Sequence, residues 1–179
     1  MIQNCNKDKI LELFLEDPLK GFKLREISRI INLGLPSVSR YIKELANEKL
    51  IEKKEIQGIP LLFANRENKI FKLQKIFHNL HKIEDSQLIG FIEEELTLPT
   101  IILFGSLAKG EDRKESDIDL CIISQKKGKL KLEIFEEKLK KEIQLFIFSE
   151  KEFLELKKEN KELFNNIING FVLRGLLRV

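Results

Sequence analysis

Two carboxylates and a glycine-serine turn carry the chemistry that this chain displays. Leu103-Phe104-Gly105-Ser106 is followed, after ten residues, by Asp117-Ile118-Asp119-Leu120. The apolar residues on either side read as strands, and side chains alternate along a strand, so Asp117 and Asp119 point to the same side. Two carboxylates on one face repel each other unless a cation or ligand sits between them. Hard oxygen donors of this kind suit magnesium, which keeps several waters and shares itself with substrate phosphates. Gly105 lets backbone approach a phosphate closely, and a helix after it offers free N–H groups. One site for a phosphate and its metal is the chemistry this spacing implies.

The stretch from Gly105 and Ser106 through Gly110 and Ser116 to Asp117, Asp119 and Leu120 resembles the signature of the DNA polymerase beta-like nucleotidyltransferases. Within them it is closest to the minimal, single-domain branch (MNT). The resemblance implies catalytic and metal-binding roles for Asp117 and Asp119, with nucleotide binding at Gly105, Ser106, Gly110 and Ser116. It also implies Mg2+ as cofactor and ATP or another nucleoside triphosphate as substrate. The family uses a third carboxylate on a neighbouring strand, which helps hold the catalytic metal and activate the attacking hydroxyl. In Glu142-Ile143-Gln144-Leu145-Phe146-Ile147 that position falls on neutral Gln144. Glu142, two residues earlier on the same strand face, is the candidate substitute and the third catalytic residue. A neutral residue at that position is expected to spare nucleotide binding more than transfer.

The elements that must position these residues read as a second domain. The sequence predicts strands at 100–104, 117–123 and 143–148. Helices are predicted from Ser106, at 130–141, at 150–158 and at 162–168, and 171–179 reads as a final strand. Lys126, Lys127, Lys129 and Lys131 form a solvated turn. Cys121 continues the alternation of the aspartates and reads as a small buried hydrophobe.

Upstream, Ile10, Leu11, Phe14 and Leu15 recur at helical spacing until Asp17-Pro18. A second helix is predicted from Leu24, ending where Gly34 takes a left-handed conformation. A third opens at Pro36 and runs to about Lys49, with Val38, Tyr41 or Ile42, and Leu45 as its buried stripe. Residues 50–56 and 59–64, with Gly58 at the tip, read as a hairpin. Three helices and a hairpin make a winged helix-turn-helix, and the run from Glu44 to Ile51 is similar to the recognition-helix exit of many winged-helix regulators. The expected DNA contacts are Ser37, Ser39, Arg40 and Lys43 on the third helix and Lys53 and Lys54 in the wing. Double-stranded DNA is the partner this implies, although winged helices also serve as docking modules. Residues 66–83 read as a helix with Ile70, Leu73, Ile76, Phe77 and Leu80 on one face, then a break at 84–86 and a short helix to Leu96.

The expected architecture is therefore α+β in two domains. A winged helix-turn-helix spans 1–65, a helical connector 66–96, and a nucleotidyltransferase fold with a mixed sheet and flanking helices 97–179. Of the 32 Lys/Arg and 29 Asp/Glu, residues 1–82 hold 16 and 10, and residues 83–179 hold 16 and 19. The basic first half suits a polyanion. No run of about 18 apolar residues spans a membrane, the first residues lack a signal-peptide core, and two cysteines make no disulfide framework. A cytoplasmic location is expected.

The leading expectation is a Mg-dependent nucleotidyltransferase-like protein with a DNA-binding winged helix, moving a nucleotidyl group from ATP or another triphosphate to a hydroxyl acceptor. The resemblance implies a protein acceptor of the kind modified by MNT antitoxins, a small helical toxin of HEPN type. The alternative is a transcriptional regulator whose nucleotidyltransferase domain binds nucleotide without efficient transfer. A homodimer fits the two-fold sites that winged-helix readers meet.

Overall fold

A computed structural model of the chain describes residues 5–126, 128 and 130–177. It divides into two compact units, Met1–Lys75 and Ile76–Val179.

The first unit holds α1 (Asn6–Glu16), α2 (Leu24–Ile30), α3 (Leu35–Asn47) and an antiparallel hairpin of β1 (Ile51–Ile56) and β2 (Ile59–Ala64). Ile10, Leu11, Phe14 and Leu15 of α1 pack with Ile27 of α2 and with Val38, Ile42 and Leu45 of α3 in one core. Phe14 meets Phe22 edge-on, ring centroids 5.1 Å apart, and Phe22 pairs with Leu62 through an isolated bridge. At the hairpin tip Gln57 and Gly58 both take positive φ, 52° and 75°, the twist a two-residue turn needs. One turn differs from expectation. Asn32, not Gly34, is left-handed, with φ 52°, while Gly34 caps α3 at φ −59°. A short polar side chain tolerates the left-handed region better than most, so Asn32 can end α2.

Helix α4 (Lys69–Ser86) runs through the expected break at 84–86, and Gln87, at φ 69°, makes the break before α5 (Leu88–Leu96). The expected apolar face is buried only in part: Ile76 and Leu80 are half-buried, Leu80 against the second unit's core. Ile70, Leu73 and Phe77 are each more than half exposed, whereas Phe71, Lys75, Asn79 and Ile83, four residues apart, are buried. Two polar side chains occupy interior positions because each has acceptors to meet: Lys75 donates to the Leu15 carbonyl, and Asn79 to Leu107 and Asp112. A pattern of apolar residues alone misses such a face.

The second unit is built on a four-stranded mixed sheet in the order β5-β4-β3-β6. The strands are β3 (Thr100–Phe104), β4 (Ile118–Ile123), β5 (Ile143–Phe148) and β6 (Phe171–Arg174). β3 is antiparallel to both β4 and β6, and β4 is parallel to β5. The helices are α6 (Gly105–Lys109), α7 (Glu133–Leu139), α8 (Glu150–Glu159) and α9 (Lys161–Ile168). Alternation sorts the strand residues between two cores. Ile101, Leu103, Ile118, Leu120 and Ile122 face Ile83, the apolar side of α5 and Leu139. Ile102, Phe104 and Cys121 face Phe153 and Leu156 of α8 and Phe164 and Ile167 of α9. Burial on both faces explains why β3 and β4 read as nearly continuous apolar runs. Burial also pushes the Cys121 thiol up to about 12, so it behaves as a hydrophobe.

β6 is shorter than the predicted strand. Gly175 turns the chain at φ 78°, at a point where a Cβ would lie 2.7 Å from Thr100 Oγ1, and Arg178 and Val179 lie outside the described residues. Lys126 and Lys131 of the predicted lysine turn are exposed, and Lys127 and Lys129 lie outside the described residues. No helix among the described residues is long and apolar enough to cross a membrane.

Helix α8 starts on a complete capping box. Ser149 Oγ accepts from the Glu152 N–H at 3.3 Å, and Glu152 Oε2 accepts from the Ser149 N–H at 2.7 Å. Ser149→Ala is expected to lower stability by about 1 kcal/mol, read as a shift in urea midpoint with unchanged slope.

Candidate active site

Gly105 and Asp119 define the tightest contact of the site. Phe104 at the end of β3 is the antiparallel partner of Asp119 on β4, which sets the next residue against the Asp119 carboxylate. An ideal Cβ on Gly105 would lie 2.0 Å from Asp119 Oδ2 and 2.9 Å from its Cγ, and Gly105 takes φ 73°. No other residue type meets both conditions without displacing the carboxylate. Asp119 shares its sheet face with Phe104 and Cys121.

Asp117 stands one residue before β4, and the parallel strand β5 closes the site. Asp119 pairs in register with Gln144, and Gln144 Nε2 donates to Asp117 Oδ2 at 2.6 Å. A carboxylate accepts only, so the amide nitrogen must be the atom that faces it. Burial, and then the charge of Asp117, push the Asp119 carboxyl above its ordinary value. The two aspartates therefore feel each other, as their spacing requires.

The donor set fits a hard divalent cation. Two neighbouring carboxylates, one of them raised first by burial and then by the other's charge, are what a cation of this type neutralises. Asp117 and Asp119 are the residues that would hold it. Glu142 is exposed; its backbone carbonyl accepts from the Ile118 N–H at 2.8 Å, which ties the starts of β4 and β5 together. Gln144, rather than Glu142, is the side chain in contact with an aspartate.

The remaining candidates of this unit shape the connection between β3 and β4. Ser106 is half-buried, and its carbonyl accepts from the Glu111 N–H at 3.0 Å. Gly110 ends α6 at φ 65°. Ser116 Oγ accepts from the Arg113 N–H at 2.9 Å, and the Ser116 N–H returns to the Arg113 carbonyl. The structure brings Gly105, Asp117, Asp119 and Gln144 together, with Ser106 beside Gly105 and Ser116 beside Asp117 in the chain. Sequence reasoning missed three residues that hold this connection: Asn79, Asp112 and Lys141. A polar residue at an interior helix position was the available signal for Asn79. The cavity of about 600 Å³ in this unit lies elsewhere, at the opposite strand ends, lined by Leu98, Ser124, Lys126, Glu150 and Leu154 among others.

In the first unit, Arg40, Lys43, Lys53 and Lys54 are exposed and Ser37 and Ser39 half-buried. Arg40 lies 3.9 Å from Glu44 and over the Tyr41 ring. Lys54 pairs with Glu52 at 2.5 Å and lies 5.7 Å from the Phe63 ring.

Residues 86–174 match the family model described as Polymerase beta, Nucleotidyltransferase. That span contains every candidate from Gly105 to Gln144, and the match supports a polymerase beta-like nucleotidyltransferase domain there. None of the curated proteins and none of the solved structures compared with the chain matches it.

Asp117→Asn is expected to bring the Asp119 carboxyl down part of the way. The charge is removed but burial, the larger cause, stays; a carboxyl carbon-13 titration reads it. Because the folded-state value of Asp119 is raised, its ionisation costs stability as pH rises through that value. A divalent cation needs both aspartates ionised. Mg2+ is therefore expected to raise the melting temperature more at pH 7 than at pH 5.

Proposed function

We propose that the second unit is a Mg2+-dependent nucleotidyl-transfer site that takes ATP or another nucleoside triphosphate. The observation that carries this reading is the coupled Asp117/Asp119 pair, packed against a glycine where no Cβ fits, inside the segment that matches the nucleotidyltransferase family model. An acceptor hydroxyl oxygen attacks the α-phosphorus, the bond from that phosphorus to the bridging oxygen breaks, pyrophosphate leaves, and the hydroxyl proton is released. Mg2+, when bound, offsets negative charge on the entering and leaving oxygens. The chain's own part is to orient Asp117 and Asp119 and to let phosphate oxygens approach the backbone at Gly105, with Ser106, Gly110 and Ser116 along the same turn. Glu142, two residues before Gln144, is the carboxylate this reading assigns to assist the acceptor hydroxyl. The acceptor class is a hydroxyl, and a protein side chain of a small HEPN-type toxin is the reading the sequence resemblance supports.

Gln144 favours a second reading. A neutral amide already donating to Asp117 supplies no charge where the family places a carboxylate. Losing one charged group at a metal site costs several kcal/mol of transition-state stabilisation, which slows turnover by orders of magnitude. The protein would then bind magnesium-nucleotide and act chiefly through its first unit, a winged helix on double-stranded DNA, as a dimer on a two-fold site.

Incubation with labelled ATP and Mg2+, with and without proteins encoded beside it, separates the two. Under the first reading label reaches an acceptor, vanishes in Asp117→Ala/Asp119→Ala, and increases about tenfold or more in Gln144→Glu. An absence of label in wild type, with labelling restored by Gln144→Glu and magnesium-dependent ATP binding that the double variant loses, supports the second. ATP binding indifferent to both aspartates overturns both.

DNA binding has its own test. Affinity for duplex DNA is expected to fall with salt, and Lys43→Ala to reduce the slope of log affinity against log salt by about 1 if it meets a phosphate. Fluorescence anisotropy across a salt series reads the slope.

A further inference from the structure

The connection from Gly110 to Asp117 has no regular secondary structure, yet it delivers the aspartate on which the proposed metal site depends. Two fastenings hold it. At its start, Asp112 is 1 % exposed and Asn79 5 %. Asn79 Nδ2 donates to Asp112 Oδ1 at 2.7 Å and to the Leu107 carbonyl at 3.2 Å. At its end, the Lys141 ammonium donates to the carbonyls of Arg113, Lys114 and Ser116 at 2.7, 3.1 and 3.0 Å. Its nitrogen also lies 3.8 Å from Asp112 Oδ2, and the Lys141 side chain is 14 % exposed.

The chemistry of this arrangement is specific. An ammonium carries three donors on one atom, and here three carbonyls converge on it. A planar guanidinium cannot point its donors at a common centre in that way. The negative charge that compensates the cation belongs to Asp112, on the same loop. Lys141 also follows Lys140, left-handed at φ 55°, and precedes Glu142, whose carbonyl accepts from Ile118. The residue that gathers the loop is thus three positions from Gln144, the side chain that meets Asp117.

We propose that Lys141, Asp112 and Asn79 are positioning residues: a buried clamp that sets where Asp117 stands relative to Asp119 and Gln144. The clamp rests on the reading of Asp117 and Asp119 as the metal pair, and it goes beyond that reading by assigning the residues that hold their geometry. All three are assigned to act through Asp117 rather than on the reacting groups.

The test uses the full chain with Lys141→Met, which keeps the aliphatic stem, and Asp112→Asn, which keeps the shape and removes the charge. Two readouts are taken: the side-chain amide resonances of Gln144 without metal, and Mn2+ affinity by calorimetry. The clamp predicts that both variants move the Gln144 amide signals toward those of a solvated amide and weaken Mn2+ binding about 10- to 100-fold, as loss of outer-shell partners does. Lys138→Met is the control. It strips an ammonium from the carbonyls of Asp85 and Ser86, 3.1 Å from each, and is expected to lower the melting temperature while leaving both readouts in place. Wild-type Gln144 signals and Mn2+ affinity in Lys141→Met and Asp112→Asn overturn the clamp. If Lys141→Met does not fold, Asp112→Asn decides. If the wild type binds no Mn2+, the metal reading fails, and the Gln144 signals still decide the clamp.

Discussion

Two like charges held on one sheet face are the constraint around which the second unit is arranged. Burial, and then the charge of Asp117, raise the cost of ionising Asp119. A sheet does not place carboxylates this way unless neighbouring strands leave no alternative. Antiparallel pairing with β3 brings Gly105 against Asp119, and the 2.0 Å gap that any Cβ would have to occupy makes that residue obligatory. Parallel pairing with β5 brings Gln144 to the other side. Its hydrogen bond to a charged acceptor contributes on the order of 1.5 kcal/mol, at the lower end of the range because both partners are open to solvent. The amide therefore offsets part of the negative charge that Asp117 sets beside Asp119. It does so without the charge that a further carboxylate would bring.

That balance bears on chemistry. A carboxylate at the position of Gln144 would repel the pair in the absence of a cation and strengthen the site in its presence. An amide stabilises the pair when no cation is there and contributes less when one is. On the reading of Asp117 and Asp119 as a metal pair, Gln144 would favour tolerance of the metal-free state, the direction that a nucleotide-responsive regulator would use and a fast transferase would not.

Much of this arrangement was legible in the sequence, because the features that set it are local. The strands at 100–104 and 143–148 and the spacing from Gly105 to Asp119 follow from apolar runs and turn chemistry, and the structure keeps them. What was hidden depends on distant partners. On α4 the apolar spacing points to Ile70, Leu73, Ile76, Phe77 and Leu80, of which Ile70, Leu73 and Phe77 are exposed. The interior positions belong instead to residues such as Lys75 and Asn79, polar side chains justified only by carbonyls and a carboxylate far along the chain. Lys141 was one lysine among many until three carbonyls converged on it. Periodicity records where apolar side chains recur; it carries no record of a buried polar group whose acceptor lies sixty residues away.

The same reasoning bears on the basic first unit. Two cations of the proposed contact have local competitors: Arg40 and Lys54 each have an acidic neighbour and an aromatic ring in reach. Exposed pairs of this kind are worth at most about 1 kcal/mol. A phosphate, with counterion release behind it, competes with such a pair on favourable terms. Glu44 and Glu52 therefore leave the proposed DNA contact open. Binding through α3 would depend on how many phosphates are met at once rather than on any single pair. That is the condition under which two copies of the unit on one duplex gain most over one.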